Sequence, residues 1–382
     1  MQTTQYNWPE LGVRAEVSFF SPNLPANAGE VSEYHVMLHV ESRGELFSGQ
    51  SDRLLKAGER LLQTDVFRGT QLVFRRFFLS DAANQADALP KDAATSCIQQ
   101  PPLDGSKIAG WMYLVRGAEV SEQDGFVTVS HGGYRHLYKG RLQCPEGDSY
   151  AQTQTLLQAY EDSLTQFGAR FADNCLRTWF FVRDVDTHYA GLVKARKENF
   201  REQGLTEHTH FIASTGIGGV PEKPGAIVQL GTYALTGFEA GQVRHLQALS
   251  HMSPTALYGV TFERATAVEY GDRAQILVSG TASIDAEGKV MYEGDIVRQT
   301  CRMWENVECL LHEGNAGFED LAQIVVYLRD PADYAVVKEM FDRQFPSVPK
   351  VITLAPICRP SWLIEMECMA VTKRNNEKFR KY

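Results

Sequence analysis

Two glutamates, Glu365 and Glu367, stand two residues apart in an otherwise apolar stretch, "RPSWLIEMECMAV" (Arg359 to Val371). Trp362, Leu363, Ile364, Met366, Met369 and Val371 mark the stretch as a buried strand. Residues two apart in a strand share a face. Two carboxylates on one face of an apolar strand are costly unless they are paired or put to use. A carboxyl in an apolar cleft has its pKa raised, holds a proton near neutrality and can act as a general acid.

The remaining chemistry-bearing types narrow the field. The seven cysteines (Cys97, Cys144, Cys175, Cys301, Cys309, Cys358, Cys368) are odd in number and form no CxxC pair. This pattern predicts reduced thiols in a cytoplasmic protein, with no disulfide framework and no zinc site. HExxH, GxxxxGK[ST] and a GxGxxG opening a helix are all missing, so no metal or nucleotide cofactor is expected. "STGIGG" reads as a turn.

A chain of 382 residues, 43% hydrophobic and 22% charged, reads as a globular protein of two or three domains. A net charge of −9 argues against a nucleic-acid surface. The opening residues, "MQTTQYNWPELGV", carry no basic n-region or apolar h-region. No apolar run approaches the roughly 18 residues of a membrane span.

The elements that must position Glu365 repeat along the chain. "VVYLRDPADY" (Val325 to Tyr334), "FFVRDVDTHY" (from Phe180) and "FFLSDAANQ" (from Phe77) are each an apolar strand ending in an aspartate: Asp330, Asp184 and Asp81. Each aspartate is placed to N-cap the helix that follows. His188 and Tyr189 open one of those helices and read as packing or capping residues. An amphipathic helix precedes each such strand; the third has Met303, Val307, Leu310 and Leu311 on one face and Gly314 as its stop. Each copy closes with a strand ending at Val115, Leu235 or Val371.

This order predicts three α+β units, each strand–strand–helix–strand–helix–strand, with helices on one face of the sheet. The expected boundaries are 1–128, 129–237 and 260–382, with a linker helix over 238–259. Counting back from the closing strand ends, Glu365 corresponds to Gln229 and Ala109, and Glu367 to Gly231 and Trp111. Only the third unit keeps carboxylates, so one cleft is expected to retain chemistry.

"ILVSGTASIDAEGKV", the "QT…NVECLL…G" helix, "VVYLRD", "FP" and "IEMECMAV" resemble the RidA/YjgF family. Members of that family are homotrimers of one such domain, chorismate-mutase-like in fold, with clefts between subunits. The resemblance is strong over about Gln275 to Val371 and weaker in the other two units. With "RTWFFVRDVDTHYAGLVKAR", "FIASTGI" and "YGVTFERATAVEYGDR", the chain further resembles the chorismatases, which act on chorismate without a cofactor. The resemblance implies an intrachain pseudo-trimer, monomeric or weakly dimeric, that releases pyruvate from chorismate. It places the catalytic glutamate at Glu365 and leaves Glu367 as support.

Cys358 and Gly271 match positions that, among chorismatases, resemble the 3-hydroxybenzoate-forming branch; the other branch adds water and yields a dihydroxycyclohexadiene carboxylate. A cysteine there can shape the pocket, or act on a ring intermediate if its thiolate is accessible. Chorismate is a dicarboxylate, so Arg177 and Arg264 are expected to hold carboxylates. Tyr258, Ser214 and Thr215 are expected to add hydrogen bonds, and Gly280 to let backbone approach the ligand.

Three other functions compete with this reading. RidA-type enamine/imine deaminases carry an arginine in the strand after "FP", where this chain has "FPSVPKVITLAP" with only Lys350. A non-catalytic binder of a small aromatic acid would not need Glu365 to be ionisable. Ribonuclease activity sits badly with the acidic charge.

Overall fold

The fold is a computed structural model that describes residues 1–23, 27 and 29–382; the Tyr258 side chain, one of the expected site groups, lies outside the described residues. The first unit runs β1 (Gln2–Trp8), β2 (Val13–Phe20), β3 (Ser32–Val40), α1 (Phe47–Leu62), β4 (Gln71–Leu79), α2 (Ala82–Gln85), β5 (Thr95–Gln99) and β6 (Ile108–Arg116). The second runs β7 (Glu119–Gln123), β8 (Phe126–His131), β9 (Tyr134–Gln143), α3 (Ser149–Leu164), α4 (Phe171–Asn174), β10 (Cys175–Val182), α5 (Val185–Glu202), β11 (Ala213–Gly218) and β12 (Val228–Thr236). The third runs β13 (Val243–Leu246), β14 (Ala265–Glu269), β15 (Arg273–Ala282), α6 (Ile296–Glu313), β16 (Leu321–Leu328), α7 (Tyr334–Gln344), β17 (Lys350–Leu354) and β18 (Ile364–Lys373).

Three six-stranded sheets of equivalent order result: β1-β2-β3-β6-β4-β5, β7-β8-β9-β12-β10-β11 and β13-β14-β15-β18-β16-β17. Pairing is antiparallel except at β4–β5, β10–β11 and β16–β17, where α2, α5 and α7 lie in the crossover that a parallel pair needs. The central strands are buried along nearly their whole length, as strands covered on both faces must be. Helices cover one face of each sheet, giving local cores such as Leu156, Tyr160 and Phe180 beneath α3. The opposite faces of all three sheets meet in one common core, from Phe74 and Trp111 through Trp179 and Tyr233 to Met369. This is the expected α+β pseudo-trimer within one chain.

Four local expectations differ from the structure. Each unit has two more strands than the repeat showed, an outer hairpin strand and a short parallel strand, because edge strands of four to seven residues leave little periodic signal. The first boundary falls at 117–118, not 128, since β7 and β8 hydrogen-bond into the second sheet. The segment 238–259 is no linker helix: it supplies β13, paired with β14, and a single 3-10 turn at Thr255–Tyr258. Of the three aspartates, Asp330 accepts a capping bond from Ala332 N, whereas Asp81 and Asp184 occupy cap positions without a side-chain cap bond.

Candidate active site

Strand β18 sets Glu365 beside Tyr327 of β16 and Ala282 of β15, and Glu367 beside Val325. The same strand positions hold Gln229 beside Phe181 in the second unit and Ala109 beside Phe78 in the first. The β15–β18 register slips between Val278 and Thr281. This bulge sets Gly280 against the Glu365 carboxyl: a Cβ at Gly280 would stand 2.0 Å from Glu365 Oε1. Glycine here makes room for an acid.

The two carboxylates share a face but not an environment. Glu367 is saturated. It accepts from Arg177 Nη2 at 2.9 Å, Thr215 Oγ1 at 2.6 Å and Trp179 Nε1 at 3.2 Å, and pairs with Arg76 Nη1 at 3.5 Å. Arg76 lies among the rings of Phe74, Trp111, Trp179 and Phe181. Buried charges persist only when compensated in this way.

Glu365 makes no hydrogen bond or ion pair among the described residues. Burial raises its pKa most and the neighbouring Glu367 charge raises it further; Arg177 and Arg264 pull it down, leaving it at about 8. At neutral pH it is therefore a carboxylic acid.

Glu365 faces a cleft between the second and third units. Ser214 and Gly216 (β11) with Tyr189 and Arg196 (α5) form one wall; Val260, Phe262, Arg264, Gly280, Cys358, Arg359 and Trp362 form the other. Five of the expected residues thus converge: Glu365, Cys358, Arg264, Ser214 and Gly280. Ser214 Oγ accepts from Thr178 Oγ1 at 2.8 Å and from Arg196 Nη1 at 3.4 Å. Arg264 donates to the Ser253 carbonyl at 3.1 Å. Burial pushes the Cys358 thiol up to about 12, and the Glu365 charge adds to this. Cys358 is therefore a neutral thiol at neutral pH, not a thiolate.

Three expected residues lie elsewhere. Arg177 is consumed by Glu367 and Thr215 and lines a separate cavity with Trp179. Thr215 spends its hydroxyl on Glu367 while accepting from Gly280 N at 2.9 Å, so it braces the bulge instead of facing a ligand. Gly271 sits at the β14–β15 turn, the far end of β15 from Gly280, where its N donates to the Arg380 carbonyl. A strand of ten residues separates that turn from the cleft.

Conversely, Tyr189, Arg196 and Arg359 line the cleft although the sequence reading gave none of them a site role. Tyr189 and Arg196 are seven apart on α5, two turns on one helix face. That spacing, together with the small residues of the facing "STGIGG", was the available signal. The ring of Tyr189 lies against Gly216, where a Cβ would be 3.1 Å away. Among the described residues no three of His, Cys, Asp and Glu cluster to hold a metal.

Comparison with known proteins follows this geometry. Residues 264–372 match the Endoribonuclease L-PSP family model. A RutC family protein of Pyrococcus abyssi is 34% identical over 25% of this chain and 76% of its own length. A 3-hydroxybenzoate synthase of Streptomyces hygroscopicus is 29% identical over 65% of this chain and 77% of its own. Among solved structures, a chorismatase superposes with a TM-score of 0.62 at 17% identity, covering 78% of this chain and 92% of that one. The chain therefore belongs to the RutC, or RidA/YjgF-like, family, with three such units joined in the architecture of the chorismatase structure.

Proposed function

We propose that this chain is a chorismatase and that Glu365 is its proton donor. The observation that carries the reading is a buried, unpaired carboxylic acid facing a cleft with Arg196, Arg264 and Arg359 on its walls. Guanidinium groups suit a dicarboxylate, because their fork meets carboxylate oxygens in two contacts. Held there, the enolpyruvyl ether presents its methylene carbon to the acid. Protonation gives an oxocarbenium-like centre; the ring C3–O bond breaks with its electron pair going to the departing pyruvate as the C4 hydroxyl oxygen, losing its proton, closes on C3. Opening of that epoxide at C4, with a proton taken up on its oxygen and the C3 hydrogen lost as a proton, gives the phenol and leaves Glu365 protonated again. Carbon protonation is slow, and a positioned general acid supplies typically about 10²–10⁴-fold. Proton transfer and C–O cleavage need no redox cofactor or metal.

The product we propose is 3-hydroxybenzoate. Together with pyruvate it contains every atom of chorismate, so no net water is consumed; the dienyl acid branch consumes one water. Cys358 lies in the cleft as a neutral thiol and shapes the ring's surroundings, with the Tyr189 hydroxyl beside it. The relative named 3-hydroxybenzoate synthase supports the same branch. Gly271 plays no part in this reading.

The deaminase alternative meets an obstacle in the register. The strand that faces Glu365 is β11, and Ser214 stands there where the third unit has Lys350. The arginine that holds substrate in deaminases thus has no counterpart at this position in the cleft. Among the described residues no helix is long and apolar enough to cross a membrane, and all seven cysteines are free. We propose a cytoplasmic location, which the free cysteines favour, and a monomer or weak dimer that light scattering would test.

The deciding experiment mixes purified protein with chorismate, adding no metal or cofactor. Pyruvate is assayed and the ring product identified by chromatography. Pyruvate with 3-hydroxybenzoate supports the whole reading. Pyruvate with a dienyl acid keeps the activity and overturns the branch. Absence of pyruvate rejects the activity.

A further inference from the structure

The turn that carries Cys358 is pinned from outside the cleft. The Ile357 carbonyl accepts from Nη2 of Arg329, the residue just past β16. The same guanidinium meets Asp186, in the first turn of α5, by two bonds of 2.9 Å: Nη1 to Oδ2 and Nη2 to Oδ1. One side chain of the third unit therefore ties the residue before Cys358 to the second unit's helix that carries Tyr189. A guanidinium fork makes the planar double contact with a carboxylate, which an ammonium cannot. The Arg329 bond holds the Asp186 carboxyl below its usual range, so the pair is ionised at neutral pH.

The backbone fixes the turn on its other side. The Pro356 carbonyl accepts from Gly218 N of β11 at 2.9 Å, and Ile357 bridges Ile217. A Cβ at Gly218 would stand 2.7 Å from the Pro356 oxygen, so glycine is what permits this approach. Tyr189 lies one turn past Asp186 on the same helix face and lines the cleft with Cys358. The ion pair thus joins the two elements whose side chains meet in the cleft.

Neither other cleft has such a pair. Arg329 follows Leu328, which pairs with Ile364; its counterparts are Arg183, after Val182 paired with Val228, and Ser80, after Leu79 paired with Ile108. The residue two past the strand-ending aspartate is Asp186 in the second unit, Ala83 in the first and Ala332 in the third. The cleft between the first and second units therefore sets Arg183 with Ala83, and the cleft between the first and third sets Ser80 with Ala332. Arginine and acid occur together at these positions only beside Glu365. Asp186 is 50% exposed, and an ion pair so placed adds little stability. Its confinement to one cleft points to placement of the lining there.

We propose that Arg329 and Asp186 are positioning residues: they clamp Cys358 against Tyr189, close that end of the cleft to water and so direct the ring toward 3-hydroxybenzoate. This rests on the chorismatase reading above. The dienyl acid is the product that takes up one water, so opening the clamp favours it.

Two readouts on the full-length protein test the clamp, and one needs no chorismate. N-ethylmaleimide labelling of Cys358, followed by peptide mass mapping, reports how freely its thiol reaches water. Asp186→Ala and Arg329→Gln are each expected to speed that labelling about fivefold or more, with the buried Cys97 and Cys368 unchanged as the sign of an intact fold. With chorismate, each is expected to raise the ratio of dienyl acid to 3-hydroxybenzoate about fivefold or more, while pyruvate release falls less than about threefold. Asp186→Glu, which keeps the carboxylate, is expected to return both readouts toward those of the unaltered protein. The double variant is expected to go no further than Arg329→Gln alone, because both changes open one clamp. Unchanged labelling of Cys358 overturns the proposal, as does an unchanged product ratio or a double variant whose effects multiply. Should the unaltered protein release no pyruvate, or make the dienyl acid alone, the reading above falls and the labelling decides on the clamp by itself. Should Arg329→Gln not fold, Asp186→Ala at its half-exposed position carries both readouts.

Discussion

The cleft between the second and third units and the cleft between the first and second share equivalent strands, register and bulge, yet only one carries an acid at the Glu365 position. At the first, Gly280 leaves space for the protonated Glu365. At the second, the bulge between Leu230 and Thr232 puts Arg141 in the place of Gly280, and its guanidinium is tied to Glu222. Gln229, in the place of Glu365, receives Gln143 Nε2 at 2.8 Å and donates to Ser96 Oγ at 3.2 Å. Both ends of the Gln229 amide thus find a partner within the protein. Catalytic potential in this fold thus comes from withholding partners: an acid left unpaired where its counterpart is a satisfied amide.

Removing the acid is the strongest way to break the comparison. Glu365→Gln turns the active cleft toward the Gln229 type while keeping its shape, and turnover of chorismate should fall about 10²–10⁴-fold with substrate binding retained. Near-normal pyruvate release in steady-state assays would remove Glu365 from the mechanism.

The adjacent glutamate separates stability from chemistry. Glu367→Ala leaves Arg76 and Arg177 buried without their counter-ion, and breaking a buried pair from one side costs about 3–5 kcal/mol. Chemical denaturation should show a loss of that order. A loss below about 1 kcal/mol would mean the cluster is not what holds the three sheets together at this point.

Adding one carbon should blunt the cleft more gently. Gly280→Ala puts a methyl where the Glu365 carboxyl stands, and about 10–100-fold in kcat should be lost as the acid is displaced. Unchanged kcat would show that the carboxyl has room to move aside.

The protonation state gives a finer test. A raised pKa means that the acid form is present below about 8, so kcat should decline about tenfold per pH unit above that value. The sign for stability follows from the same shift. The unfolded carboxyl ionises near 4.5, the folded one near 8, so the folded state loses stability as pH rises between them. Glu365→Gln is spared this loss. Its melting temperature should gain on the unaltered protein from pH 5 to pH 9; a constant difference would contradict the buried acid.

The smallest effect belongs to the reverse swap. Gln229→Glu puts an acid in the second cleft, but Arg141 and Glu222 still fill it, so pyruvate release in a Glu365→Gln background should stay at the background rate. Any rescue would show that charge alone, without the open space at Gly280, suffices.

The chain's own order determined a good deal. Helix periodicity, the strand–Asp–helix repeat and the alternation that puts Glu365 and Glu367 on one face are local properties, carried by residues a few positions apart. They gave three α+β units, the singular third unit and the acid. What the sequence could not decide was which of two adjacent glutamates is paired. Glu367 meets Arg177 and Arg76, 190 and 291 positions away, and no local pattern encodes such a meeting. The same contact withdrew Arg177 from the expected site. Tyr189 and Arg196 entered it because α5 of one unit faces Glu365 of the next across the cleft. Short edge strands and the β13 pairing stayed hidden for the same reason: their hydrogen bonds come from partners that only the folded sheet supplies.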